Sequence, residues 1–405
     1  MTIDGKPFAA IVGAGRTKFG ELWYDDPEKL LFDAGLHCMQ SVDKGIHRSQ
    51  LQACFFGSFL YQSTNKMGLV PGHMARELGL NIPISMNEAA CASGGSAIYN
   101  ACIAIRSGHY DTVLVGGFEK MTDRPNKISD DLMFAADPKE FSAGFSFPGL
   151  YATMMSRYIY EYSGGKQMCE DAMAMVASKN HHHGMLNEYA QFRREFTPDA
   201  VKKSSLVAHP IRLLHCSPVT DGAAALILTS PEKAKEYTDN PIYITASQQS
   251  TDDVSLYTRE SLTSIKATKL GVSTALKEAG VAWKDIQMAE VHDCFTVEEI
   301  LFLEDAGFYR EGEGWKGVHE SYENGKSGKH IPYKGSSDLI VNPGGGLKAD
   351  GHPVGATGVR QVYEAWTQLR GQAGGQQITT PLETALCHNI GGTGAICTVH
   401  ILRRS

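Results

Sequence analysis

The feature that most restricts the fold of this chain is an α/β pattern that occurs twice along it. In the first copy, a helical pattern over 30–44 leads through a turn to an apolar run at 53–56. In the second copy, a helical pattern over 273–280 leads through a turn to the run 289–295. A pattern that repeats in this way is typical of a duplicated unit whose copies pack against each other. We therefore expect an α/β fold that is built from two similar halves.

The two copies also agree in the glycine-rich segments that open a later helix. Residues 91–95 open a helical pattern in the first copy, and residues 351–355 open one in the second. A predicted buried strand follows each of these helices. Cys91 and His352 are therefore expected to lie at equivalent helix entrances in the two halves.

A third segment interrupts this pattern. Residues 126–218 are rich in Met, Tyr and His and lack the rhythm of strands, which predicts an inserted and mostly helical loop domain. A length of 405 residues agrees with two or three domains or with one duplicated fold. We place the N-terminal half at 1–125 together with 219–235, and the C-terminal half at 236–405.

Composition argues against several classes of function. The net charge is −7 and the sequence has no block of Lys and Arg, so we expect no binding to nucleic acid or to membrane surfaces. No apolar run approaches the ~20 residues that span a bilayer, and the first residues do not resemble a signal peptide. The nine cysteines include no Cys-x-x-Cys pair, which argues against a disulfide scaffold and a metal site. We expect a cytoplasmic enzyme without a bound metal.

Cys91 has the surroundings of a nucleophile. A helix N-terminus stabilises a thiolate through its dipole and its free N–H groups, and Cys91 directly precedes such a helix start. The alternative is that Cys91 is only a small buried residue that closes the helix start. His352 strengthens the functional interpretation, because Pro353 biases it towards an extended conformation and the surrounding glycines leave its ring accessible. An imidazole next to Cys91 would act as its base.

Two further segments complete the candidate site. His292 and Cys294 follow a predicted strand, and open α/β sheets place their active sites at the edge where such strands end. The alternative is a core histidine beside a core cysteine. Residues 389–394 form a glycine-rich turn whose backbone N–H groups are suited to an oxyanion hole.

These segments resemble, in sequence and in order, the catalytic loops of the thiolase superfamily. The segments that carry the resemblance are, in chain order, 91–95, 116–121, 221–225, 292–295, 351–355 and 389–394. The resemblance covers nearly the whole chain. It implies a duplicated, five-layered α-β-α-β-α fold in which 126–218 is the loop domain, and it implies a homodimer.

Two departures from the common thiolases narrow the resemblance to one branch. Where those enzymes carry Asn-Glu-Ala-Phe, this chain carries His-Asp-Cys-Phe at 292–295, and Asn389 replaces their second catalytic cysteine. Both changes are similar to the sterol-carrier-protein-type thiolases and their bacterial and archaeal relatives. The resemblance implies that Cys294 is the acid/base cysteine and that Cys387 is structural.

The resemblance also implies a role for each residue of the site. Cys91, activated by His352, would attack the 3-keto carbon of a 3-oxoacyl-CoA, and Cys294 would protonate the released enolate and then deprotonate free CoA. His292 and His352 would form the oxyanion hole for the thioester oxygen. The backbone N–H groups of Cys91 and Gly391 would form a second hole over the tetrahedral intermediate. Coenzyme A is then a substrate, and no cofactor is bound permanently.

The resemblance is greatest to thiolases that split 2-benzoylsuccinyl-CoA into benzoyl-CoA and succinyl-CoA in anaerobic toluene degradation. It implies that substrate, together with a small partner subunit that carries a zinc ribbon and an OB-fold. Residues of the insert would wall an aromatic acyl pocket, or they are ordinary packing of the loop domain. They are Met133, Phe134, Phe145, Phe147, Tyr151, Met154 and Met155.

Three other functions stay open at the level of sequence. One is an acetoacetyl-CoA thiolase that works in a biosynthetic complex. Another is a condensing enzyme of the ketoacyl-synthase kind, against which Cys294 argues because such enzymes lack a second reactive cysteine. The third is a scaffold subunit that binds acyl-CoA without catalysis, which the combination of Cys91, His292, Cys294 and His352 makes a poor fit. The residues that bind the nucleotide of CoA are not assigned.

Overall fold

A computed structural model describes residues 6–162 and 166–404 of the chain. Its strands are β1 (Ala9–Arg16), β2 (Ala53–Gly57), β3 (Ile84–Asn87), β4 (Thr112–Glu119), β5 (Leu206–Ala208), β6 (Ile211–Arg212), β7 (Gly222–Thr229), β8 (Ile242–Thr251), β9 (Met288–Glu290), β10 (Tyr333–Lys334), β11 (Asp338–Val341), β12 (Thr384–Gly391) and β13 (Ile396–Arg404).

Helices connect these strands and form most of the insert. They are α1 (Pro27–Gln40), α2 (Val70–Leu78), α3 (Ser93–Arg106), α4 (Ile128–Leu132), α5 (Pro138–Ser142), α6 (Phe147–Glu161), α7 (Lys166–Gly184), α8 (Pro198–Lys203), α9 (Ala234–Tyr237), α10 (Lys266–Ala279), α11 (Thr296–Asp305), α12 (Gly314–Gly325), α13 (Gly346–Ala349) and α14 (Thr357–Leu369). No helix among the described residues is both long enough and apolar enough to span a membrane.

The sheet shows the duplication directly. Its eleven strands run in the order β10-β11-β9-β12-β13-β8-β1-β7-β4-β2-β3. Read outwards from the centre, β1-β7-β4-β2-β3 matches β8-β13-β12-β9-β11, with two antiparallel pairings followed by two parallel ones in each half. The halves join through three residue pairs between 9–11 and 242–244. The predicted construction from two similar halves is confirmed.

Local sequence accounts for several of these elements. Helix α1 begins where Asp26 accepts the backbone N–H of Lys29 at 2.8 Å and Pro27 occupies the first turn, both of which favour a helix start. Strands β1, β4 and β7 are buried along their whole length. Such strands are covered on both faces, and for this reason they read as continuous apolar runs.

The core lies in layers. Helices α3 and α14 lie at the centre, where their apolar residues form one cluster with residues of strands from both halves. Helices α1 and α2 cover the outer face of the first half, and α10 and α11 cover that of the second. The result is the predicted five-layered α-β-α-β-α arrangement. Most of the segment 126–218 is helical and comprises α4 to α8 with the short hairpin β5–β6. The domain boundaries themselves stay a prediction.

Candidate active site

The two central helices bring the predicted catalytic loops together. A Cβ atom at Gly94, in the first turn of α3, would lie 2.6 Å from the carbonyl oxygen of Gly355. Real Cβ atoms do not approach backbone that closely, so only glycine allows this contact. Because Cys91 precedes α3 and His352 precedes α14, the close approach places both residues at one cavity.

Cys91 lies in a single 3₁₀ turn, Ala90–Ala92, that runs directly into α3. Ala90 has a φ of +49°, a strained conformation for a residue with a side chain, and strain of this kind is concentrated at functional sites. The hydroxyl of Ser93 accepts the N–H of Ala89 at 2.9 Å and donates to the carbonyl of Ala90 at 2.6 Å. These hydrogen bonds hold the strained turn in place.

The thiol of Cys91 is buried and neutral. Burial raises its pKa, and the nearby carboxyl groups of Glu298 and Glu119 raise it further. The N–H groups of Gly392 and of Cys91 itself oppose this shift without cancelling it. The sequence led us to expect a thiolate stabilised by the helix start, but desolvation outweighs that effect. A nucleophilic role for Cys91 therefore requires a base that removes its proton.

His352 is the candidate for that base. Its Nδ1 lies 2.7 Å from the hydroxyl oxygen of Thr357, and this hydroxyl donates to the carbonyl of Pro353 at 3.0 Å. Because the Thr357 proton is already used, we assign the ring proton to Nδ1, which leaves a lone pair on Nε2. Nε2 has no hydrogen-bond partner among the described residues. Burial, with a smaller effect of Arg360, lowers the pKa of His352 to about 3 and keeps the ring neutral.

His292 has the opposite tautomer. The side-chain amide of Asn389 donates to His292 Nδ1 at 3.0 Å and to the carbonyl oxygen of Cys91 at 3.0 Å. Nδ1 is therefore an acceptor, and the ring proton lies on Nε2, which has no partner among the described residues. The rings of His292 and His352 are perpendicular, with centroids 5.1 Å apart. One histidine offers an acceptor and the other a donor.

Two groups of side chains have the composition of metal ligands. Cys91, His292 and His352 each bring one donor atom within 4.8 Å of the other two, and so do His292, Cys294 and Glu298. Both groups need His292, whose free nitrogen carries a proton and offers no lone pair to a metal. The same proton suits an oxyanion. The arrangement therefore fits acyl transfer better than metal binding.

Cys294 lies just before α11 and has a carboxyl group as its partner. Its thiol donates to Glu298 Oε2 at 3.0 Å, and the hydroxyl of Tyr151 donates to the other oxygen of Glu298. Burial and the charge of Glu298 raise the pKa of Cys294 well above the ordinary value, and burial raises the pKa of Glu298 to about 8. The ring of Tyr151 stacks on Phe295 with centroids 4.3 Å apart.

Sequence reasoning missed both partners of Cys294. Glu298 follows Cys294 by four residues, in the first turn of α11, and this spacing would have indicated a contact. Tyr151 had no such signal, because it lies in the insert, far from Cys294 along the chain.

The turn 389–394, which is predicted to supply backbone donors, contains the adjacent glycines Gly391 and Gly392. A Cβ atom at Gly391 would lie 2.2 Å from the carbonyl oxygen of Ala89, so no side chain fits there. The N–H of Gly392 lies against the sulfur of Cys91 and opposes the rise in its pKa. The assignment of Gly391 to the oxyanion hole stays a prediction, and Gly392 is a further donor. Cys387 lies buried in β12.

The cavity above these groups is mainly apolar and has a volume of about 200 Å³. Cys91, Cys294 and His352 lie on its wall. The insert contributes Ile128, Ser129, Leu132, Ala135, Phe147, Pro148, Cys216, Ser217 and Pro218. Of the seven insert residues considered for an aromatic pocket, Phe147 lines the cavity, Phe134 and Phe145 are exposed, and the other four are buried in the core. Most of those seven residues therefore serve packing.

Two family models cover almost the whole chain. The model described as "Thiolase, N-terminal domain" matches residues 9–232, and "Thiolase C-terminal domain-like" matches residues 248–404. The chain belongs to the thiolase family. It is therefore an acyltransferase, and the interpretation as a scaffold without catalysis is not supported.

Individual relatives agree with the predicted branch of the family. The acetyl-CoA acetyltransferase of Methanothermobacter thermautotrophicus is 40% identical over 396 residues, which are 98% of this chain and 99% of the relative. Sterol carrier protein 2 of Bos taurus is 31% identical over 401 residues, which are 95% of this chain and 70% of that protein. Among solved structures, the Ltp2-ChsH2(DUF35) aldolase matches with a TM-score of 0.79 at 21% identity and covers 98% of both chains. The sterol-carrier-protein-type and archaeal-like branch predicted from the sequence is confirmed.

Proposed function

We propose that this thiolase cleaves 3-oxoacyl-CoA through an acyl-enzyme on Cys91, with CoA as the acceptor. The observation that carries the proposal is the pair of complementary histidines beside two buried thiols. His352 offers a lone pair and His292 a proton, and both face the space next to Cys91. A ketoacyl-synthase-like enzyme would have no use for Cys294, whose thiol lies on the same cavity.

The first step uses the neutral thiol. His352 Nε2 takes the proton of Cys91 as the sulfur attacks the 3-keto carbon, and the backbone N–H groups of Cys91 and Gly391 stabilise the oxyanion. His352 then carries a proton on Nε2. Together with Nε2–H of His292, it donates to the thioester oxygen as the Cα–Cβ bond breaks and an enolate forms.

The second half of the reaction uses Cys294. Its S–H bond breaks as a C–H bond forms at Cα of the enolate, which releases the shortened acyl-CoA. The Cys294 thiolate then takes the proton of an incoming CoA thiol. The CoA sulfur attacks the acyl group on Cys91, and the Cys91 thiol is restored by the proton held on His352.

For the acyl group we propose an aromatic one, as in 2-benzoylsuccinyl-CoA. The apolar cavity with Phe147 on its wall supports a benzoyl group. The second candidate is acetoacetyl-CoA, which the name of the Methanothermobacter relative favours. A condensing role is the third candidate and has the least support.

We also propose the assembly and location of the protein. The solved neighbour Ltp2-ChsH2(DUF35) aldolase bears the name of two components, which supports a separate small partner subunit with a zinc ribbon and an OB-fold. A homodimer of the thiolase chain is the second part of this proposal. We place the protein in the cytoplasm.

The test is the intact mass of the protein after brief exposure to 2-benzoylsuccinyl-CoA without free CoA, with acetoacetyl-CoA in parallel. We expect a benzoyl adduct that is absent in Cys91→Ala. An acetyl adduct alone would keep the mechanism and replace the substrate. If neither substrate leaves an adduct, even with a zinc-ribbon partner added, the acyl-enzyme proposal is wrong.

A further inference from the structure

Two pairs of tyrosine and glutamate join α6 to α11 in the core. Tyr151 donates to Glu298, and two turns further along Tyr158 donates to Glu304. The pairs are chemically alike, and all four side chains are buried. Glu304 also accepts backbone N–H groups of the loop that follows α11, as a structural carboxylate does. Glu298 accepts one backbone N–H, that of Phe295, and it differs from Glu304 in also accepting the S–H of Cys294.

We propose that Glu298 is a positioning residue that holds Cys294 as a thiol between turnovers and aims its S–H bond at the substrate. The carboxylate is itself fixed, because Oε2 accepts the S–H of Cys294 at 3.0 Å and the N–H of Phe295 at 3.3 Å. Tyr151 holds the other oxygen. This inference rests on the proposed acid/base role of Cys294.

The charges around Cys294 explain why Glu298 matters. The other groups that face its thiol are the thiol of Cys91, the hydroxyl of Tyr151 and the ring of His292, and each of them is neutral. Glu298 is the group in direct contact that becomes charged as the pH passes its own pKa, which burial raises to about 8 against the hydrogen bonds of Cys294, Tyr151 and Phe295. An adjacent carboxylate favours the proton on sulfur. Cys294 therefore begins each cleavage step with the proton that Cα needs.

Glu298 itself neither gains nor loses an atom in this scheme. The S–H bond of Cys294 breaks as the C–H bond at Cα forms. The proton of the CoA thiol later restores the S–H bond. When Cys294 is a thiolate, the adjacent carboxylate makes it a stronger base towards CoA. When the S–H bond has been restored, the carboxylate again accepts its hydrogen bond.

The main test compares Glu298→Gln with Glu304→Gln. The first substitution keeps the shape and removes the charge, so alkylation of Cys294 by iodoacetamide, followed by peptide mass, should shift to lower pH by about 1 to 3 units. Exchange of the Cα protons of acyl-CoA with D₂O should fall by about 10²-fold, the lower end of what acid–base catalysis contributes. Glu298→Asp should recover part of both. Glu304→Gln should change neither.

A second pair of variants covers the case in which Glu298→Gln does not fold. Tyr151→Phe keeps the carboxyl group of Glu298 and removes a hydroxyl whose hydrogen bonds lower the pKa of both Glu298 and Cys294, so alkylation of Cys294 should move to higher pH. Tyr158→Phe should leave it unchanged. An unchanged pH profile in the folded Glu298 and Tyr151 variants, or an equal shift in the Glu304 and Tyr158 variants, would overturn the inference.

The acyl adduct on Cys91 is measured in the same preparations. If the wild-type protein forms no adduct, the proposed function fails. If the adduct forms and Cα exchange requires Cys294, but Glu298→Gln behaves as the wild type, only the role of Glu298 fails.

Discussion

Glu119 and Asn389 occupy equivalent places in the two halves of the sheet. The last residue that pairs with the neighbouring parallel strand is Gly117 in β4 and Cys387 in β12. Glu119 and Asn389 each lie two residues beyond that position. Each side chain also crosses to the other half. Glu119 accepts the N–H of Gly355 in the His352 loop at 3.0 Å, and Asn389 donates to the carbonyl of Cys91 at 3.0 Å.

The two residues differ in what else they do. Glu119 accepts only backbone N–H groups and the hydroxyl of Ser58, so it holds loops in place. Asn389 also donates to His292 and thereby decides which ring nitrogen carries the proton. One duplicated position therefore holds loops in the first half, and in the second half it orients a histidine that the proposed mechanism uses.

The largest expected effect separates the nucleophile from the other cysteines. Cys91→Ala should reduce thiolysis to background, because the proposed mechanism places the acyl intermediate on this sulfur. The control is Cys102→Ala. Cys102 is also buried, but it lies within α3, so this variant should keep the wild-type activity. Thiolysis rates and the intact mass after substrate addition measure both. An acyl adduct that persists in Cys91→Ala would assign the nucleophile elsewhere.

The next largest effect is expected for substitutions of Asn389. Asn389→Ala removes the donor that fixes the tautomer of His292, so kcat should fall by about 10²- to 10³-fold, as for the loss of an oxyanion-hole donor. Asn389→Asp keeps the shape but cannot donate, and it should be as slow as the alanine variant. Steady-state kinetics of both variants are the measurement. Wild-type kcat in Asn389→Asp would show that the amide has only a structural role.

For Glu119, which holds loops in place, we expect a substitution to lower kcat less than it lowers the stability of the fold. In Glu119→Gln the new NH₂ group faces N–H and O–H groups whose hydrogen bonds the carboxylate accepted. Leaving such buried donors without an acceptor costs about 1–3 kcal/mol. The free energy of unfolding should fall by that amount, while kcat should fall much less than in Asn389→Ala. Denaturant unfolding and kinetics on the same samples check this. An equal loss of kcat in both variants would remove the distinction.

The smallest expected effect is a difference between Glu119→Gln and Asn389→Ala in how the loss of stability depends on pH. Burial raises the pKa of Glu119 from 4.5 to about 7. Between these values the folded protein binds more protons at Glu119 than the unfolded chain does, so this contribution to stability falls as pH rises. The difference in melting temperature between wild type and Glu119→Gln should narrow from pH 4.5 to 7. The difference between wild type and Asn389→Ala should stay constant, because an amide does not titrate.

Much of the architecture could be predicted from the sequence. The helical and apolar patterns of the two copies led to the duplicated fold, and the glycine-rich helix entrances led to Cys91 and His352. His292 and Cys294 followed from their place after a strand. The fold is confirmed and the site residues stay a prediction, and each of these inferences depends on residues that are near one another along the chain.

Other features of the site depend on the tertiary structure alone. Tyr151 reaches Glu298 from a helix that is distant along the chain, and the N–H of Gly392 lies against the sulfur of Cys91. The tautomers of the two histidines follow from partners that only packing supplies. The pKa of Cys91 is raised because desolvation, which depends on everything packed around the thiol, exceeds the local effect of the helix start. Local pattern thus identified Cys91, His292, Cys294 and His352 as candidates, whereas burial and long-range hydrogen bonds decided their partners and protonation states.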